Sequence, residues 1–356
     1  MKFTISKNII ENVISSMQPF LNKKDFSAIT SHIYLEILDA NLIIKSTDYE
    51  MGCKAVIPNI TDIIDGKATT NGSNLLNIIR RLKDDDIIFE VIDNNLSIKQ
   101  KRSNFKLPMY DPSEYPEFLD TQNLEKLDIN SIDVINNIKK ITPAIDNNNP
   151  KYELNGALID ISHENINFVA TDTRRLAVSK IVCNSNSQSQ IIVPKKAIIE
   201  IQKLFLDDAQ ISYDDVNLVV SNKNYTFFTK LINGKFPDYQ RIIPKNSKYV
   251  FSISKPILIE SIKLVTSIES KIKILFSSHN IIFESLDDDS ESKTEIDVNL
   301  EIEENFYIAV NSKYILDFLS GTNTQNIEIC YNDANMPFIL KDGNFSTVVM
   351  PIVLDK

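Results

Sequence analysis

The chain has 356 residues, of which 43% are hydrophobic, and a formal net charge of −10. This length suffices for two or three globular domains, and no apolar run is long enough to predict a membrane-spanning helix. The 7 glycines form neither a GxGxxG nor a GxxxxGKS/T motif, and the 3 histidines show no metal-binding spacing, so we expect no cofactor and no metal. The 3 widely spaced cysteines predict free thiols in a reducing cytoplasm.

Taken in chain order, the predicted elements repeat three times. The segments KFTISKNIIENVI, KLDINSIDVINNI and VFSISKPILIESI each combine a short alternating strand with an amphipathic helix. Phe3, Leu127 and Phe251 are equivalent positions, 124 residues apart in both intervals. A serine stands near each helix start, at positions 6, 131 and 254, and we expect its hydroxyl to cap the helix.

A second element also occurs three times, as TTNGSNLLNIIRRL, IIVPKKAIIEIQKL and IAVNSKYILDFL. Each copy predicts a strand that leads into a helix, and strand pairs follow it. The sequence therefore predicts an α+β protein of three tandem pseudo-repeated domains, each with two helices and antiparallel sheets. The domains are residues 1–121, 122–245 and 246–356, and the helices are residues 7–17, 73–82, 131–140, 194–205, 255–268 and 312–319. Three diverged copies suit a ring or an arc better than a single catalytic site.

Positive charge is concentrated on the six predicted helices. They carry eleven basic and five acidic residues, although the chain as a whole is acidic. Helices that face a polyanion, in a protein with an acidic exterior, would show this segregation. The sequence lacks the interleaved aromatic residues of single-strand binders, so we expect sequence-neutral and salt-dependent binding. The alternative interpretation of this charge pattern is that the lysines simply lie on solvent-exposed faces of the helices and bind nothing.

The segment FVATDTRRLAVSK, residues 168–180, predicts a β-hairpin with an unusual turn. Gly or Asn usually occupies such a turn because these residues tolerate positive φ. Here the turn is filled by Asp172, Thr173, Arg174 and Arg175. Two guanidinium groups beside an aspartate suit catalysis, phosphate binding or a partner protein, and the pattern alone does not choose among them.

The sequence resembles the bacterial β sliding clamp family, the processivity subunit of DNA polymerase III. The resemblance rests on MKFTI, YELNGALID, FVATDTRRLAV, IIVPKKAIIEI, KLINGKFPDYQRIIP and VVMPIVL, which occur in family order along the whole chain. It implies two three-domain crescents that dimerise head to tail into a ring, with twelve helices around double-stranded DNA. It also implies a non-catalytic accessory subunit in the cytoplasm, without 3′–5′ exonuclease activity and without membrane contact.

In this family, the segment that matches ATDTRRLA forms part of a groove between the second and third domains. Clients dock there through QLxLF-like peptides. The implied clients are the DNA polymerase III alpha subunit, the clamp loader, other polymerases and repair proteins. Carried over to this sequence, the groove residues are Leu154, Thr171, Thr173, Arg174, Arg175, Leu176, Pro237, Arg241, Ile242, Pro337, Val348, Met350, Pro351 and Ile352.

The resemblance implies two further surfaces. The DNA-facing positions would be Lys23, Lys24, Arg80, Asn148, Lys151, Tyr152, Lys195, Lys196 and Lys313. The dimer seam would join a basic first-domain strand to an acidic third-domain segment, because opposite charges favour head-to-tail closure. Its residues would be Lys101, Arg102, Phe105, Lys106, Leu107, Asp289, Glu291 and Glu295.

Two departures from the family pattern affect the groove. The family commonly ends in MPMR-Leu, whereas here Met350-Pro351-Ile352-Val353-Leu354 is followed by Asp355 and Lys356. Thr173 and Arg174 stand where the family usually has Gly-His, and we expect this change to shift the client motif toward an acidic flanking residue. The alternative is that Arg174 points to solvent or pairs with Asp172.

Two rival functions stay open. A metal-dependent enzyme such as a nuclease would need converging carboxylates, which the acidic runs at 84–86 and 287–289 do not offer. A monomeric clamp-like adaptor would bind client peptides without encircling DNA, and its mass in solution would be that of one chain.

Overall fold

The computed structural model describes residues 1–25, 28–119, 121, 124–184, 188–267, 269–286 and 291–354. The chain forms two compact units. The first comprises Met1–Ile132 with Lys196–Leu231, and the second comprises Asp133–Lys195 with Ile232–Lys356. Each unit therefore holds one terminal repeat together with part of the central repeat.

All six predicted helices are confirmed. They are α1 (Lys7–Met17), α2 (Gly72–Arg81), α3 (Ser131–Ile141), α4 (Lys195–Leu204), α5 (Lys255–Val265) and α6 (Ser312–Ser320). The apolar side chains recur at helical spacing and face inward, as Ile10, Ile14 and Met17 of α1 do. Each such side chain contributes about 1.5–3 kcal/mol when it is fully buried, so these faces fix the helices on the sheets.

The prediction that serines cap the helices is wrong. Ser6 and Ser254 precede α1 and α5 without a side-chain cap, and Ser131 is the first residue of α3, where its hydroxyl donates to Asp208. Backbone carbonyls accept from the first N–H group of α1 and α5 instead: Lys7 N donates to Asp85 O, and Lys255 N donates to Gln325 O. Asparagines cap two other helices: the Asn71 side chain accepts from Asn74 N, and the Asn311 side chain accepts from Lys313 N.

The described residues form twenty-five short strands. From the N-terminus they are β1 (Lys2–Ser6), β2 (His32–Leu38), β3 (Asn41–Thr47), β4 (Met51–Ile57), β5 (Thr61–Ile64), β6 (Gly66–Asn71), β7 (Asp86–Ile92), β8 (Asn95–Gln100), β9 (Ser103–Pro108), β10 (Glu125–Lys126), β11 (Gly156–Ile161), β12 (Asn165–Thr171) and β13 (Arg175–Val182). They continue as β14 (Ser189–Pro194), β15 (Gln210–Tyr213), β16 (Asn217–Ser221), β17 (Tyr225–Lys230), β18 (Tyr249–Ser254), β19 (Lys271–Phe276), β20 (Asn280–Ser285), β21 (Lys293–Asp297), β22 (Phe306–Asn311), β23 (Asn326–Tyr331), β24 (Phe338–Asp342) and β25 (Phe345–Val349).

These strands make four antiparallel sheets, two in each unit. The first unit has a five-stranded sheet in the order β5-β1-β7-β8-β9 and an eight-stranded sheet in the order β10-β15-β16-β17-β4-β3-β2-β6. The second unit has an eight-stranded sheet in the order β14-β11-β12-β13-β25-β24-β23-β18 and a four-stranded sheet in the order β21-β20-β19-β22. Each eight-stranded sheet joins two repeats, through the pair β17–β4 in the first unit and the pair β13–β25 in the second.

A buried histidine lies at the start of β2 in the first unit. The His32 side chain is 4% exposed and stacks on the ring of Tyr110, with 4.2 Å between ring centroids. Its Nδ1 atom has no hydrogen-bond partner among the described residues. Burial disfavours the charged imidazolium and lowers the pKa of His32 from 6.5 to about 4.

This shift predicts a loss of stability in mild acid. The unfolded chain binds a proton at His32 below pH 6.5, whereas the folded chain resists protonation down to about pH 4. The contribution of His32 to the free energy of unfolding is therefore complete above pH 6.5. It is lost as the pH falls toward 4, and about 2 kcal/mol is already lost at pH 5. Urea unfolding at pH 7 and pH 5 measures it. His32→Phe keeps the stacking but does not titrate, so an equal pH-dependence in wild type and variant would contradict the assignment.

Among the described residues, none of the helices combines the length and the apolar character that a membrane crossing requires.

Candidate functional site

The unusual turn predicted at residues 172–175 closes the β12–β13 hairpin in the second unit. Strand β13 pairs with β12 on one side and with β25 on the other. Leu176 lies opposite Val348 in this register, and Met350 N donates to Arg174 O at 2.9 Å. The fold therefore brings the turn beside residues 348–352, although they are far apart in the sequence.

Hydrogen bonds from side chains hold the turn in place. Asp172 Oδ1 accepts from Arg174 N at 3.1 Å and from Arg175 N at 3.0 Å. Thr171 Oγ1 accepts from Thr173 N and donates to Arg175 O. Thr173 itself has a φ of 71°, in the left-handed region that β-branched residues rarely adopt. The carboxylate and hydroxyl bonds thus hold a backbone conformation that the residue at 173 disfavours.

Replacing Thr173 by Gly should stabilise the protein. Glycine adopts positive φ without the Cβ clash, which costs about 1–2 kcal/mol in other residues, and its larger unfolded-state entropy offsets part of the gain. We expect a net stabilisation of about 0.5–1 kcal/mol, measured by thermal unfolding. Thr171→Val removes the supporting hydroxyl and should destabilise the turn. A lower melting temperature for Thr173→Gly would show that the threonine side chain has a favourable contact.

The side chain of Arg175 is buried below this turn, with 4% of its surface exposed. Its Nε donates to Asp172 Oδ2 at 3.0 Å and its Nη1 donates to Asp317 Oδ2 at 2.7 Å. Its Nη2 donates to the carbonyl oxygen of Pro143, and the guanidinium lies 4.7 Å from the ring centroid of Tyr314. The expectation that Arg175 contacts a client peptide therefore needs correction, because its donors are used inside the fold.

Sequence reasoning did not find the partners of Arg175. Tyr314 and Asp317 lie on α6, and Pro143 lies in the short 3-10 turn after α3. The arginine thus ties the hairpin turn to α6 and to the 3-10 turn after α3. The only sequence signal was the spacing of Tyr314 and Asp317, which places both on one face of α6.

Several of the predicted groove residues lie in one apolar cluster under the turn. The cluster comprises Leu154, Leu158, Val169, Leu176, Val178, Ile192, Ile232, Phe236, Tyr239, Ile339 and Val348. Tyr239 anchors the following loop, since its hydroxyl donates to Asp160 Oδ2 at 2.7 Å. Burial, followed by this hydrogen bond to Asp160, raises the pKa of Tyr239.

Other predicted groove residues are exposed or half-buried in the same unit. Met350 is 41% exposed and Ile242 is 45% exposed, a fraction that a fully packed core would not leave on apolar side chains. Arg241 is exposed and pairs with Asp238 at 2.7 Å. The remaining predicted positions are Thr171, which is buried, and Pro237, Pro337, Pro351 and Ile352, which are half-buried.

The predicted DNA-facing side chains differ in whether they are paired with other groups of the protein. In the first unit, Lys196 pairs with Asp48 at 3.0 Å and Arg80 approaches Glu11 at 3.8 Å. In the second unit, Lys195 Nζ donates to Ile145 O and to Asn147 Oδ1, both at 2.7 Å. Burial lowers the pKa of Lys195, ahead of the opposing effect of Asp146. Two hydrogen bonds to the adjacent loop thus hold the ammonium group of Lys195, and its direct contact with DNA stays a prediction.

The other DNA-facing candidates have exposed side chains. In the part of the chain that the structure describes, the ammonium groups of Lys23, Lys24, Lys151 and Lys313 form no ion pair, and all four residues are exposed. Tyr152 is 66% exposed and adjoins Lys151, and Asn148 is also exposed. Lys23 and Lys24 belong to the first unit, and the other four belong to the second.

The two predicted seam segments are both edge strands. Strand β9 ends the five-stranded sheet of the first unit, and β21 ends the four-stranded sheet of the second. Phe105 and Leu107 line a hollow of about 270 Å³ with Asn74, Asn77, Ile78 and Arg81 of α2. An edge strand leaves backbone donors and acceptors unpaired, so each segment offers a pairing surface.

Charges flank both edges. Lys101 and Arg102 form the turn before β9, where Lys101 pairs with Asp85 at 2.6 Å, and Lys106 is exposed. Glu291 and Glu295 are exposed beside and on β21. The predicted seam residue Asp289 lies outside the described residues.

No group of three or more His, Cys, Asp or Glu side chains is placed to hold a metal ion within the described ranges.

Comparison with known proteins identifies the family to which these features correspond. Residues 1–120, 128–238 and 240–353 match the DNA polymerase III beta subunit, as its N-terminal, central and C-terminal domains. The chain is 38% identical to the beta sliding clamp of Helicobacter pylori over 374 residues, covering 99% of this chain and 100% of the relative. It is 25% identical to the beta sliding clamp of Vibrio cholerae, with the same coverage. It also matches the crystal structure of the Helicobacter pylori beta clamp bound to a DNA ligase peptide, with a TM-score of 0.94, 38% identity and coverage of 99% and 100%.

Proposed function

Because the chain belongs to the β sliding clamp family, the DNA polymerase III beta subunit, we propose that it closes into a homodimeric ring around duplex DNA and tethers replication proteins to it. The chain is a sliding clamp, a non-catalytic processivity subunit. A closed ring stays on DNA because it encircles the duplex, so it needs no tight contact with it. Weak contacts therefore permit sliding while a tethered polymerase stays near the template. Tethering raises the effective concentration of the client, so a modest peptide affinity produces high processivity.

The client site in this proposal is the surface formed by the turn at 172–174, the 348–352 segment and the loop at 237–242. The observation that carries it is the pair of exposed apolar residues, Met350 and Ile242, next to the buried cluster that contains Leu176 and Val348. A leucine and an aromatic side chain of a QLxLF-like peptide would cover them, and methionine adapts to varied partners. The DNA ligase peptide bound by the Helicobacter pylori clamp supports a peptide ligand for this chain. The proposed clients are the polymerase III alpha subunit, the clamp loader, other polymerases and repair proteins.

The DNA contacts in this proposal are made by Lys23 and Lys24 of the first unit and by Lys151, Tyr152 and Lys313 of the second, whose side chains are exposed. Arg80 and Lys196 support the contacts of the first unit, and Asn148 supports those of the second. Contacts of lysine with phosphate carry no base specificity and weaken with salt, which suits a clamp that must slide over every sequence. Lys195 acts differently, since it orders the loop that presents Lys151 and Tyr152.

The dimer seam in this proposal pairs β9 of one protomer with β21 of its partner. Both are sheet edges, one flanked by Lys101, Arg102 and Lys106 and the other by Glu291 and Glu295. Head-to-tail pairing would satisfy both edges, place Phe105 and Leu107 in a dry interface and bring the opposite charges together. Each protomer would contribute three domains, residues 1–121, 122–245 and 246–356, and the ring would act on the chromosome in the bacterial cytoplasm.

A peptide titration tests the client site. A labelled QLSLF-type peptide should bind the wild-type protein in the micromolar range, and Met350→Ala should weaken binding about tenfold, because a buried apolar contact is removed. Val182→Ala is the matched control, since Val182 is an exposed apolar residue at the end of β13 that is remote from the turn. Equal effects of both variants, or no binding by the folded wild type, would contradict the proposed groove.

A further inference from the structure

The two arginines of the turn have opposite environments. Arg175 takes both nearby carboxylates, since its guanidinium bonds Asp172 and Asp317. Both oxygens of Asp172 accept hydrogen bonds: Oδ2 accepts from Arg175 Nε, and Oδ1 accepts from the N–H groups of Arg174 and Arg175. Asp172 of the turn and Asp317 of α6 are therefore both paired with the buried arginine.

The backbone of Arg174 is held by hydrogen bonds, whereas its side chain is exposed. Its N–H donates to Asp172 and its carbonyl oxygen accepts from Met350 N at 2.9 Å, while its side chain is exposed. In the described part of the chain, its guanidinium forms neither an ion pair nor a hydrogen bond. The hydrogen bond to Met350 places this free cation at the border of the apolar surface that Met350 contributes.

We propose that Arg174 is a specificity-determining residue that selects client peptides with a carboxylate next to their hydrophobic anchor. The inference rests on the proposed client site and adds the chemistry of its preferred ligand. A guanidinium fork matches a carboxylate in two parallel hydrogen bonds, and the bond to Met350 sets its position relative to the anchor. Arg241, another exposed arginine of the proposed client site, differs from Arg174 in that it pairs with Asp238 at 2.7 Å.

The proposal predicts a preference that follows the charge at position 174. Three QLSLF-type peptides that differ only in an Asp, Asn or Lys residue flanking the anchor are titrated into wild type, Arg174→Ala and Arg174→Glu. Wild type should bind the Asp peptide about two- to fivefold more tightly than the Asn peptide, as expected for an exposed ion pair. The preference should disappear in Arg174→Ala and shift to the Lys peptide in Arg174→Glu. High salt should reduce it, because exposed charges are screened.

The outcomes separate this inference from the client site itself. If wild type binds all three peptides equally and Met350→Ala still weakens binding, the groove stands and the role of Arg174 is overturned. A preference for Asp that persists in Arg174→Ala would also overturn it, since another residue would then select the carboxylate. If wild type binds none of the peptides, the client site fails and the inference fails with it.

Discussion

Replacing Arg175 by Met will lower the free energy of unfolding by about 3 kcal/mol, the low end for a broken buried ion pair. The variant leaves the carboxylates of Asp172 and Asp317 and the carbonyl of Pro143 without the donor that now satisfies them. The loss stays at the low end because the side chains of Asp172 and Asp317 keep 21% and 24% of their surface exposed to water. Urea unfolding followed by circular dichroism measures the effect.

The neighbouring residue supplies the control. Arg174→Met makes the same chemical change at an exposed side chain, and it should alter stability by less than about 0.5 kcal/mol. Adding Asp317→Asn to Arg175→Met should recover part of the loss, because an amide is less costly to leave unpaired than a carboxylate. Equal losses for Arg174→Met and Arg175→Met would contradict the assignment of Arg175 as the residue that holds the turn.

Replacing Phe105 by Asp should convert the proposed homodimer into a monomer. The variant places a carboxylate in the hollow that Phe105 and Leu107 line beside α2, and an unpaired charge in a dry interface costs several kcal/mol. Because the seam occurs twice in a closed ring, the mass in solution should fall from twice the chain's 40.5 kDa to 40.5 kDa. Light scattering after gel filtration measures it.

The opposite edge of the same sheet provides the matched control. Ile64 is an exposed apolar residue on β5, at the other end of the five-stranded sheet, and Ile64→Asp should leave the dimer intact. A wild-type protein that is monomeric at all concentrations would favour the adaptor interpretation. Dissociation by both variants would mean that the seam does not lie at β9.

Local patterns in the sequence predicted the secondary structure well. The apolar spacing of the three repeats located all six helices, because each helix has one apolar face and its spacing can be seen in consecutive residues. The same reasoning failed at the helix starts. Ser6 and Ser254 carry the preferred capping side chain, but a backbone carbonyl from a distant turn reaches the first N–H group instead.

Contacts between repeats could not be predicted from local patterns. Arg175 and Asp317 are 142 residues apart, and only the pairing of β13 with β25 and the packing of α6 bring them together. The sequence therefore presented Arg174 and Arg175 as two equivalent cations, whereas the fold buries one and exposes the other. A contact within the central repeat was missed as well, since the loop at 145–147 that holds the ammonium group of Lys195 is remote in sequence.

Retention on circular and linear DNA tests the central claim most directly. The clamp is loaded onto a nicked circular plasmid by the loader of the same bacterium with ATP, and the complex is separated from free protein by gel filtration. A topologically linked ring should stay on the circle at a salt concentration that abolishes phosphate contacts, and one double-strand cut should release it from the ends. Equal retention on the cut and uncut plasmid, or retention on neither, would contradict a ring that encircles DNA.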